Sequence, residues 1–526
     1  MIRRLRQLTI GQCTMRVFVL PCILAASGCA TVPKDAGFGD VQGKVAPHLA
    51  ERVYWQRNSA EDEAVKVEVS ALLSAPLTLS GATQIALLNN PELQSLYEGL
   101  GIAQADLVQA GLLENPVFAA SVRMPDHDRS GSESRTVTRE SGGGFSVSRS
   151  TESATIRNNI EFALVQNFLD LLMIPMRKKM AEAHFEETKL AISHEILVFA
   201  GDVKRHYYDY VWATQQADLL HTVTTATGAA SEFAIRQYEA GNLSRLEMSR
   251  ENAFHGQALL EASEADLEVR LARERLSRTL GLWNGAAKWE LAMERLATPP
   301  PGKYSIGELE SHAIANRLDL AAKVKELEIL AFGVKTTRRW RWLGLLDLSV
   351  STERDGDGVY VTGPALELQL PLFDQGQAKL AVAESNLRAG AQHVSSRAID
   401  IRSETRQAWE RLSTSQDTVA YFERVLLPTQ QAILDESQLH YNAMLIGVYH
   451  LLLDKQQQID TARRYVDALH EYWIARTELE MAVGGSLPTI ADRASEPGSM
   501  PEMETPAILE AVPSAQASTP ASHENH

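Results

Sequence analysis

Cysteine is the reactive side chain whose position in this sequence is informative. The chain has three cysteines, Cys13, Cys22 and Cys29, and none in the residues that follow. A thiol can act as a nucleophile, bind a metal or accept a covalent group. No Ser/His/Asp grouping, zinc-ligand spacing or phosphate-binding loop accompanies it in the sequence. We therefore expect neither an enzyme nor a metal site, and Cys29 is left as the one residue with a covalent role.

The segment that precedes Cys29 has the composition of a secretory signal peptide. Four arginines and no acid are followed by the apolar run "VFVLPCILAA" and then by small residues. This run is shorter than the roughly 20 apolar residues of a membrane-spanning helix. The stretch "ASGC" resembles a bacterial lipobox, with Ala26 where leucine is usual. We predict removal of residues 1–28 and a covalent lipid on Cys29. An ordinary cleavage site with a leftover cysteine is the alternative.

Composition and charge narrow the class of protein. Only 6% of the 526 residues are aromatic, and the formal net charge is -16, which becomes more negative when the signal arginines leave. Such a charge is a poor match to nucleic acid, because nucleic-acid binders carry basic patches. It also disfavours tight association with anionic lipid except through acyl chains. Ala30 after the cysteine, by resemblance to bacterial sorting rules, favours the outer membrane.

Long helices dominate the middle of the chain. No proline lies between Pro175 and Pro299, and apolar residues from Ile192 onward recur in steps of three and four. A helix of about 55 residues would be roughly 80 Å long. Gly241 and Asn242 then interrupt the pattern as a helix-ending pair. The sequence predicts a long helical hairpin over 176–283, with its tip near Gly241.

The same plan occurs twice. "LSGATQIALLNNPEL" at Leu79 is similar to "IGELESHAIANRLDL" at Ile306, an offset of 227, and "QYEAGNLSRLEM" at Gln237 is similar to "HYNAMLIGVYHL" at His440, an offset of 203. The predicted organisation is an N-terminal lipid-anchored segment over 29–76, a first repeat over 77–298, a second repeat over 299–485 with a helical hairpin over 376–484, and a disordered tail over 486–526.

Each repeat contains two segments with the period of a β-strand. In the second repeat, 345–353 and 361–371 alternate apolar and polar residues, and in the first repeat 117–124 and 157–166 do so around a glycine- and serine-rich loop too polar to pack. Alternation fits a soluble sheet or the wall of a membrane barrel. Four strands cannot close a barrel, and open strand edges are not stable in lipid. Membrane strands would therefore require several chains, and three copies supply twelve strands.

With these pieces in place, the chain from about residue 47 to 485 resembles the TolC-type outer-membrane efflux proteins. The resemblance is carried by "LTLSGATQIALLNNPELQSLYEGLGIAQADLVQAGLLENPVF", "LELQLPLFDQGQAKLAVAESNLRA" and the tip stretches that begin at Tyr238 and Tyr441. It implies a mainly α fold with a β-barrel portion, formed by a homotrimer with a twelve-stranded barrel in outer-membrane lipid and an α-barrel across the periplasm. It also implies a passive exit duct of a tripartite efflux pump, joined to a periplasmic adaptor and an inner-membrane pump.

The resemblance also proposes residues for a periplasmic gate. In the family, the tips are held closed by an aromatic residue, an acid nine places after the first-repeat aromatic, and an arginine of the second repeat. Here Tyr238, Glu247 and Tyr441 match the pattern, whereas Ile446 stands where the arginine would be. We therefore expect a looser or apolar closure around "AMLIGVY".

Further tip residues follow from the same comparison. Asp454 is a candidate for a cation-selecting acidic ring, with a solvated helix face as the alternative. Met444 replaces the turn glycine of the first tip, which predicts a tighter or displaced second tip. Gly241, Leu243, Leu445 and Gly447 are candidates for adaptor contacts, or for packing within the tips.

The competing interpretation is a lipid-tethered periplasmic coiled-coil scaffold, in which the alternating segments are small soluble sheets. The first repeat resembles members associated with heavy-metal or copper resistance. Since relatives export drugs, proteins or metal ions and the pump selects among them, the resemblance assigns no cargo, no particular pump and no role for the tail.

Overall fold

The computed structural model describes residues 31–123, 132–139, 145–152, 159–283, 289–293, 295–342, 346–354, 359–368 and 370–487. Cys29 and the predicted tail from 488 onward lie outside the described residues. The helices are α1 (Phe38–Val45), α2 (Ala60–Ser74), α3 (Leu79–Asn89), α4 (Pro91–Ala110), α5 (Phe168–Glu239), α6 (Arg245–Thr279), α7 (Ile306–Asn316), α8 (Leu318–Trp340), α9 (Gln377–Tyr421), α10 (Leu427–Asn442) and α11 (Val448–Val483). The strands are β1 (Val117–Arg123), β2 (Ser132–Arg139), β3 (Phe145–Glu152), β4 (Asn159–Asn167), β5 (Leu346–Arg354) and β6 (Tyr360–Leu368).

The duplication seen in the sequence is present in the fold. Helix α3 and helix α7 have 11 residues each and begin at Leu79 and Ile306, which are 227 positions apart. Helix α4 begins at Pro91 and helix α8 at Leu318, again 227 apart. Each repeat therefore has the order short helix, helix, two sheet strands, long helical hairpin. The fold class predicted from the sequence is confirmed.

Two helical hairpins account for most of the chain. Hairpin 1 consists of α5, with 72 residues, and α6, with 35. A straight helix of that length is about 110 Å long. Hairpin 2 consists of α9, a π-helical turn at Phe422–Leu426, α10 and α11. Within the described residues, no helix has both the length and the hydropathy that crossing a membrane requires.

Four strands form one antiparallel sheet in the order β1-β4-β5-β6. The cross-strand row Phe118, Leu164, Val350 and Pro364 lies on one face. On the other face, the row Ala163, Ser351 and Gly363 is small and polar. This alternation is the one that the sequence predicts for these strands, because successive side chains of a strand point to opposite faces.

The polar segment between the first-repeat strands contains a strand pair that the sequence analysis does not predict. Strands β2 and β3 pair along their full length, from Ser132 with Glu152 to Arg139 with Phe145. The serine and glycine content of this segment predicts only a loop too polar to pack. Backbone hydrogen bonds do not depend on side-chain hydrophobicity, so a polar antiparallel ribbon satisfies its own amides and carbonyls.

The core lies where the short helices pack around the long ones. Leu77, Ile85, Tyr207, Leu276 and Leu309 are buried in one cluster that spans both repeats. A second cluster attaches the N-terminal segment, with Phe38 edge-on to Tyr97 at a ring distance of 5.1 Å. The two hairpin tips extend away from this core, so their geometry depends on local turns and caps.

Candidate functional site at the hairpin tips

The first tip, residues 239–247 (tip 1), turns through a left-handed glycine. The amide of Gly241 donates to the Tyr238 carbonyl at 2.9 Å, and the amide of Asn242 donates to the Gln237 carbonyl at 2.9 Å. Gly241 has φ +78°. Glycine adopts this conformation without a Cβ clash, which is why it commonly ends helices. The sequence prediction of a turn near Gly241 is thus met by a helix-ending bond pattern.

Glu247 has a local structural partner. Its backbone amide donates to Ser244 Oγ at 3.2 Å, and its carboxylate accepts from the Ser244 amide at 3.1 Å. This is a capping box at the start of α6. Hydrogen bonding to the Glu247 carboxylate from the Ser244 side chain, and then from the Ser244 amide, lowers the pKa of the Glu247 carboxyl below its usual range. In the sequence, "SRLE" has the spacing of a capping box, and the comparison with family gate residues does not use this signal.

The second tip, residues 442–450 (tip 2), repeats the turn of tip 1, so the expectation of a tighter or displaced turn is wrong. The amide of Met444 donates to the Tyr441 carbonyl, and that of Leu445 to the His440 carbonyl, both at 2.9 Å. Each of these bonds lies 203 positions after its counterpart in tip 1. Met444 has φ +58° and keeps the left-handed turn without glycine. The backbone hydrogen bonds therefore determine this turn, and Met444 adopts a strained backbone conformation within it.

The start of α11 differs from that of α6. Gly447, which occupies the position of Ser244, provides no side-chain cap. Met444 is 93% exposed and Leu445 is 71% exposed. Tip 2 therefore presents two apolar side chains to its surroundings, whereas tip 1 presents the polar cap of Ser244 and Glu247 beside Leu246, which is 61% exposed. Among the predicted adaptor contacts, Gly241 and Gly447 are exposed and Leu243 is partly exposed.

Two acids occupy equivalent positions above the tips but have different surroundings. Asp454 of α11 accepts a hydrogen bond from the hydroxyl of Ser437 across hairpin 2. Its counterpart in hairpin 1, 203 positions earlier, is Glu251, which is buried. Ala234 stands at the place of Ser437, and Glu251 Oε2 has no hydrogen-bond partner. Burial raises the pKa of Glu251. The sequence comparison did not single out Glu251.

The predicted gate residues lie at the two tips as the repeat requires. Tyr238 is 40% exposed, and Tyr441 is partly exposed. The contacts of Glu247 and Asp454 described above stay within their own hairpins. Ile446, at the place of the family arginine, is partly exposed. Within one chain, these side chains are therefore available for contacts beyond their own hairpin.

Polar contacts join the two hairpins above the tips. Lys204 pairs with Glu480 at 2.7 Å, His470 Nε2 lies 2.8 Å from Asp209 Oδ1, and Arg463 pairs with Glu261 at 2.7 Å. Trp212 reinforces the middle contact by stacking on His470 and donating to Asp467 at 2.9 Å. These contacts hold hairpin 1 and hairpin 2 side by side.

Among the described residues, no group of three or more His, Cys, Asp or Glu side chains is placed to hold a metal ion. The arrangement at the tips consists of turns, caps and exposed apolar side chains. Such an arrangement can open, close or bind a partner, and it requires no bond-making chemistry.

In its fold, the chain is similar to solved outer-membrane channels. CusC is similar at 14% identity, with a TM-score of 0.61 over 78% of this chain and 93% of CusC. The CmeC outer-membrane channel of Campylobacter jejuni is similar at 16% identity, with a TM-score of 0.61 over 77% of this chain and 85% of CmeC. The outer-membrane protein VceC of Vibrio cholerae is similar at 16% identity, with a TM-score of 0.58 over 77% and 96%.

These likenesses confirm, at the level of the fold, the resemblance drawn from the sequence. A scan of protein-family models returns no match. A search of curated proteins likewise finds no similar sequence.

Proposed function

We propose that this protein is the outer-membrane exit duct of a tripartite efflux pump. The observation that carries the proposal is the four-stranded sheet, which has an exposed apolar face and two open edges. Phe118, Val350 and Leu366 are 67%, 49% and 66% exposed in the single chain. A soluble protein would cover such a face, whereas lipid is a favourable environment for it.

The open edges support a shared barrel. Strands β1 and β6 are the first and last of the sheet, so each pairs on one side only. Unpaired backbone groups in hydrocarbon cost several kcal/mol each, and closed barrels avoid this cost. Three copies, with strand β6 of each paired to strand β1 of the next, give a barrel of twelve strands without an open edge. The open edges thus support partner chains, and the family resemblance implies three copies, which is the homotrimer proposed here.

The helical hairpins supply the periplasmic part of the duct. Four long helical arms per chain, arranged around a threefold axis, form a wall of twelve. The conduit needs no energy source of its own, because the inner-membrane pump supplies the work. The protein is accordingly not an enzyme and has no cofactor apart from the lipid on Cys29.

We propose a lipid anchor on Cys29, which the lipobox-like stretch "ASGC" supports. Helix α1, which follows it, is fixed to hairpin 1 by the ion pair of Asp40 with Lys189 at 2.6 Å. A lipid on Cys29 would therefore tether hairpin 1 as well as the N-terminal segment.

The tips are the proposed gate and the proposed docking end for a periplasmic adaptor. Tyr238, Glu247, Tyr441 and Asp454 are the candidate gate residues. Met444 and Leu445 give the closed end an apolar surface, consistent with closure without the family arginine. Gly241, Leu243, Leu445 and Gly447 are the candidate adaptor contacts.

Single-channel conductance in planar bilayers tests the proposal. The wild-type protein should insert and show rare, brief openings, and Tyr441→Ala should open more often. Ser244→Ala separates gating from capping at Glu247, because it breaks the capping box and keeps the acid. If Glu247→Ala opens the channel and Ser244→Ala does not, Glu247 acts in the gate. No conductance from any variant, with extraction of the delipidated protein in the absence of detergent, would favour the periplasmic scaffold.

A further inference from the structure

A cavity at the junction of strands and helices in the second repeat combines basic, aromatic and apolar side chains. It has a volume of about 550 Å³ and lies between the end of α8, the residues after β6 and the start of α9. We call it the junction cavity. Its lining includes Trp340, Arg341, Leu372, Phe373 and Lys379. The lining thus contains two cationic side chains together with aromatic and apolar ones.

The cations of this region have few protein partners. Arg338 pairs with Glu384 at 2.7 Å. In the part of the chain that the structure describes, neither Arg339 nor Arg341 has an ion pair. Among the described residues that line the cavity, Asp374 is the one acid, and it accepts a hydrogen bond from the Gly376 amide at 2.9 Å. Arg341 instead lies over the ring of Trp342, 4.9 Å from its centroid.

Two buried donors in the same place lack acceptors. Trp340 Nε1 and Arg341 Nε are both buried, and neither has a hydrogen-bond partner among the described residues. A buried N–H group without an acceptor destabilises the protein. The apolar part of the lining is uncovered as well, since Leu372 is 70% exposed and Phe373 is 93% exposed. The junction cavity therefore has both polar donors and apolar side chains that a ligand could satisfy.

At the equivalent junction of the first repeat, the arginine has internal partners. At an offset of 227, Leu112, Leu113 and Glu114 stand in the places of Arg339, Trp340 and Arg341. There, Arg177 pairs with Asp170 at 2.6 Å and donates to the Leu112 carbonyl at 3.3 Å. Since the fold forms this junction with internal pairs, the Arg and Trp side chains of the second repeat are not required by the fold itself.

We propose that the junction cavity binds the phosphate of an anionic phospholipid from the membrane leaflet that faces the helices. Arg341 and Lys379 would hold the phosphate, and Leu372 and Phe373 would contact the acyl chains. Tryptophan and arginine are the residues that favour the membrane–water boundary, and basic pockets there bind anionic headgroups. The site is local, so the acidic charge of the whole chain does not oppose it at distances beyond about 10 Å. This inference rests on the proposed membrane location.

Native mass spectrometry of the full-length protein in detergent tests the proposal. The protein is incubated with phosphatidylglycerol, phosphatidylethanolamine or inorganic phosphate, and bound lipid is counted per chain. We expect the wild type to retain one phosphatidylglycerol per chain. Arg341→Gln should lower that retention at least fivefold, whereas Arg341→Lys should keep most of it. Phe373→Ser, which changes no charge, should also lower it.

Arg270→Gln is the matched control, because Arg270 is an exposed arginine of α6 in the other hairpin. It should retain lipid like the wild type. Equal retention by Arg341→Gln and the wild type would overturn the proposal. So would displacement of the lipid by inorganic phosphate, which indicates a free-anion site, or no lipid on the wild type, which indicates that a neighbouring subunit fills the cavity. The same spectrum gives the number of chains, so a failure to form trimers is read separately from a failure to bind lipid.

Discussion

Asn90 and Arg317 occupy the same position in the two repeats and make equivalent contacts with the returning helix of each hairpin. Asn90 Nδ2 donates to the Thr279 carbonyl at 2.9 Å, and Arg317 Nη1 donates to the Ala482 carbonyl at 3.2 Å. The two donor residues are 227 positions apart and the two acceptor residues are 203 positions apart, which are the two repeat offsets. Each side chain thus joins the helix that follows it to one of the last carbonyls of a hairpin, which have no partner within their own helix.

The arginine version of this contact carries a charge network that the asparagine version lacks. Arg317 is 5% exposed at its side chain and binds Asp319 through two bonds, at 3.0 and 2.9 Å. Arg397 contacts Asp319 at 2.7 Å, and Glu404 completes the group by pairing with both arginines. Removing one member of a buried network leaves the others uncompensated.

We therefore predict unequal losses of stability. Arg317→Ala should destabilise the protein by about 3–5 kcal/mol, the range for breaking a buried ion pair. Asn90→Ala should cost only about 1–2 kcal/mol, since it removes a helix cap and one carbonyl bond. Thermal unfolding of the purified variants in one detergent measures the difference. Equal shifts in Tm would mean that the network adds nothing to the carbonyl contact.

The same network predicts a pH dependence at the acid end. Hydrogen bonds from Arg317 and the charges around it outweigh burial and lower the pKa of Asp319 from 3.8 to about 2. A carboxyl with a lowered pKa in the folded state stabilises the protein above pH 3.8, and this contribution is lost as pH falls toward 2. The drop in wild-type Tm over that interval should be smaller in Asp319→Asn. Parallel curves for the two proteins would contradict the assignment.

For Glu251 of hairpin 1, we predict the opposite dependence of stability on pH. Burial raises its pKa, so the folded protein is destabilised as pH rises from about 4.5 through the raised value. Glu251→Gln should slow hydrogen exchange in the peptides around it at pH 7 and have little effect at pH 4. Asp454→Asn is the matched comparison, and it should speed exchange in hairpin 2 because it weakens the bond from Ser437. The same response from both variants would show that burial of Glu251 has no energetic cost.

Met444 allows a direct test of the tip turn. Because its backbone is left-handed and its side chain is 93% exposed, Met444→Gly should stabilise tip 2 by about 0.5–1 kcal/mol. Gly241→Ala should destabilise tip 1 by a similar amount, since a Cβ there meets no atom within 4 Å and only the backbone is strained. Hydrogen exchange at the two tips reports both changes. A loss of protection in Met444→Gly would mean that the methionine side chain stabilises the turn.

The sequence was sufficient for the parts of the molecule that depend on periodicity. The spacing of apolar residues predicts the long helices and the two-faced strands, and the offset of 227 is the offset between Leu79 and Ile306 at the starts of α3 and α7. It was insufficient where backbone bonding or local geometry decides the structure. The β2–β3 ribbon has a polar sequence, and the Met444 turn forms without glycine.

The interpretation of individual tip residues shows the same division. Glu247 was assigned from its distance to Tyr238, but its contacts are those of a capping box, for which "SRLE" is the sequence signal. Glu251 and the junction cavity were missed, because an unpartnered side chain is defined by its three-dimensional surroundings. The fold aligns the two repeats position by position. Ala234 then aligns with Ser437, which indicates the missing partner of Glu251, and Glu114 aligns with Arg341, which indicates the cationic junction cavity.

In the proposed barrel, strand β6 of one subunit pairs with strand β1 of the next. Cysteines placed at Ala120 in β1 and, in turn, at each position from Thr362 to Leu366 in β6 test this pairing by oxidation in the native membrane. A barrel shared between subunits predicts that one pairing yields covalent dimers and trimers on a denaturing gel. Mass spectrometry should identify the linked β1–β6 peptide, and neither single cysteine should give the ladder of dimers and trimers. Monomers only, with the disulfide formed inside one chain, would contradict it.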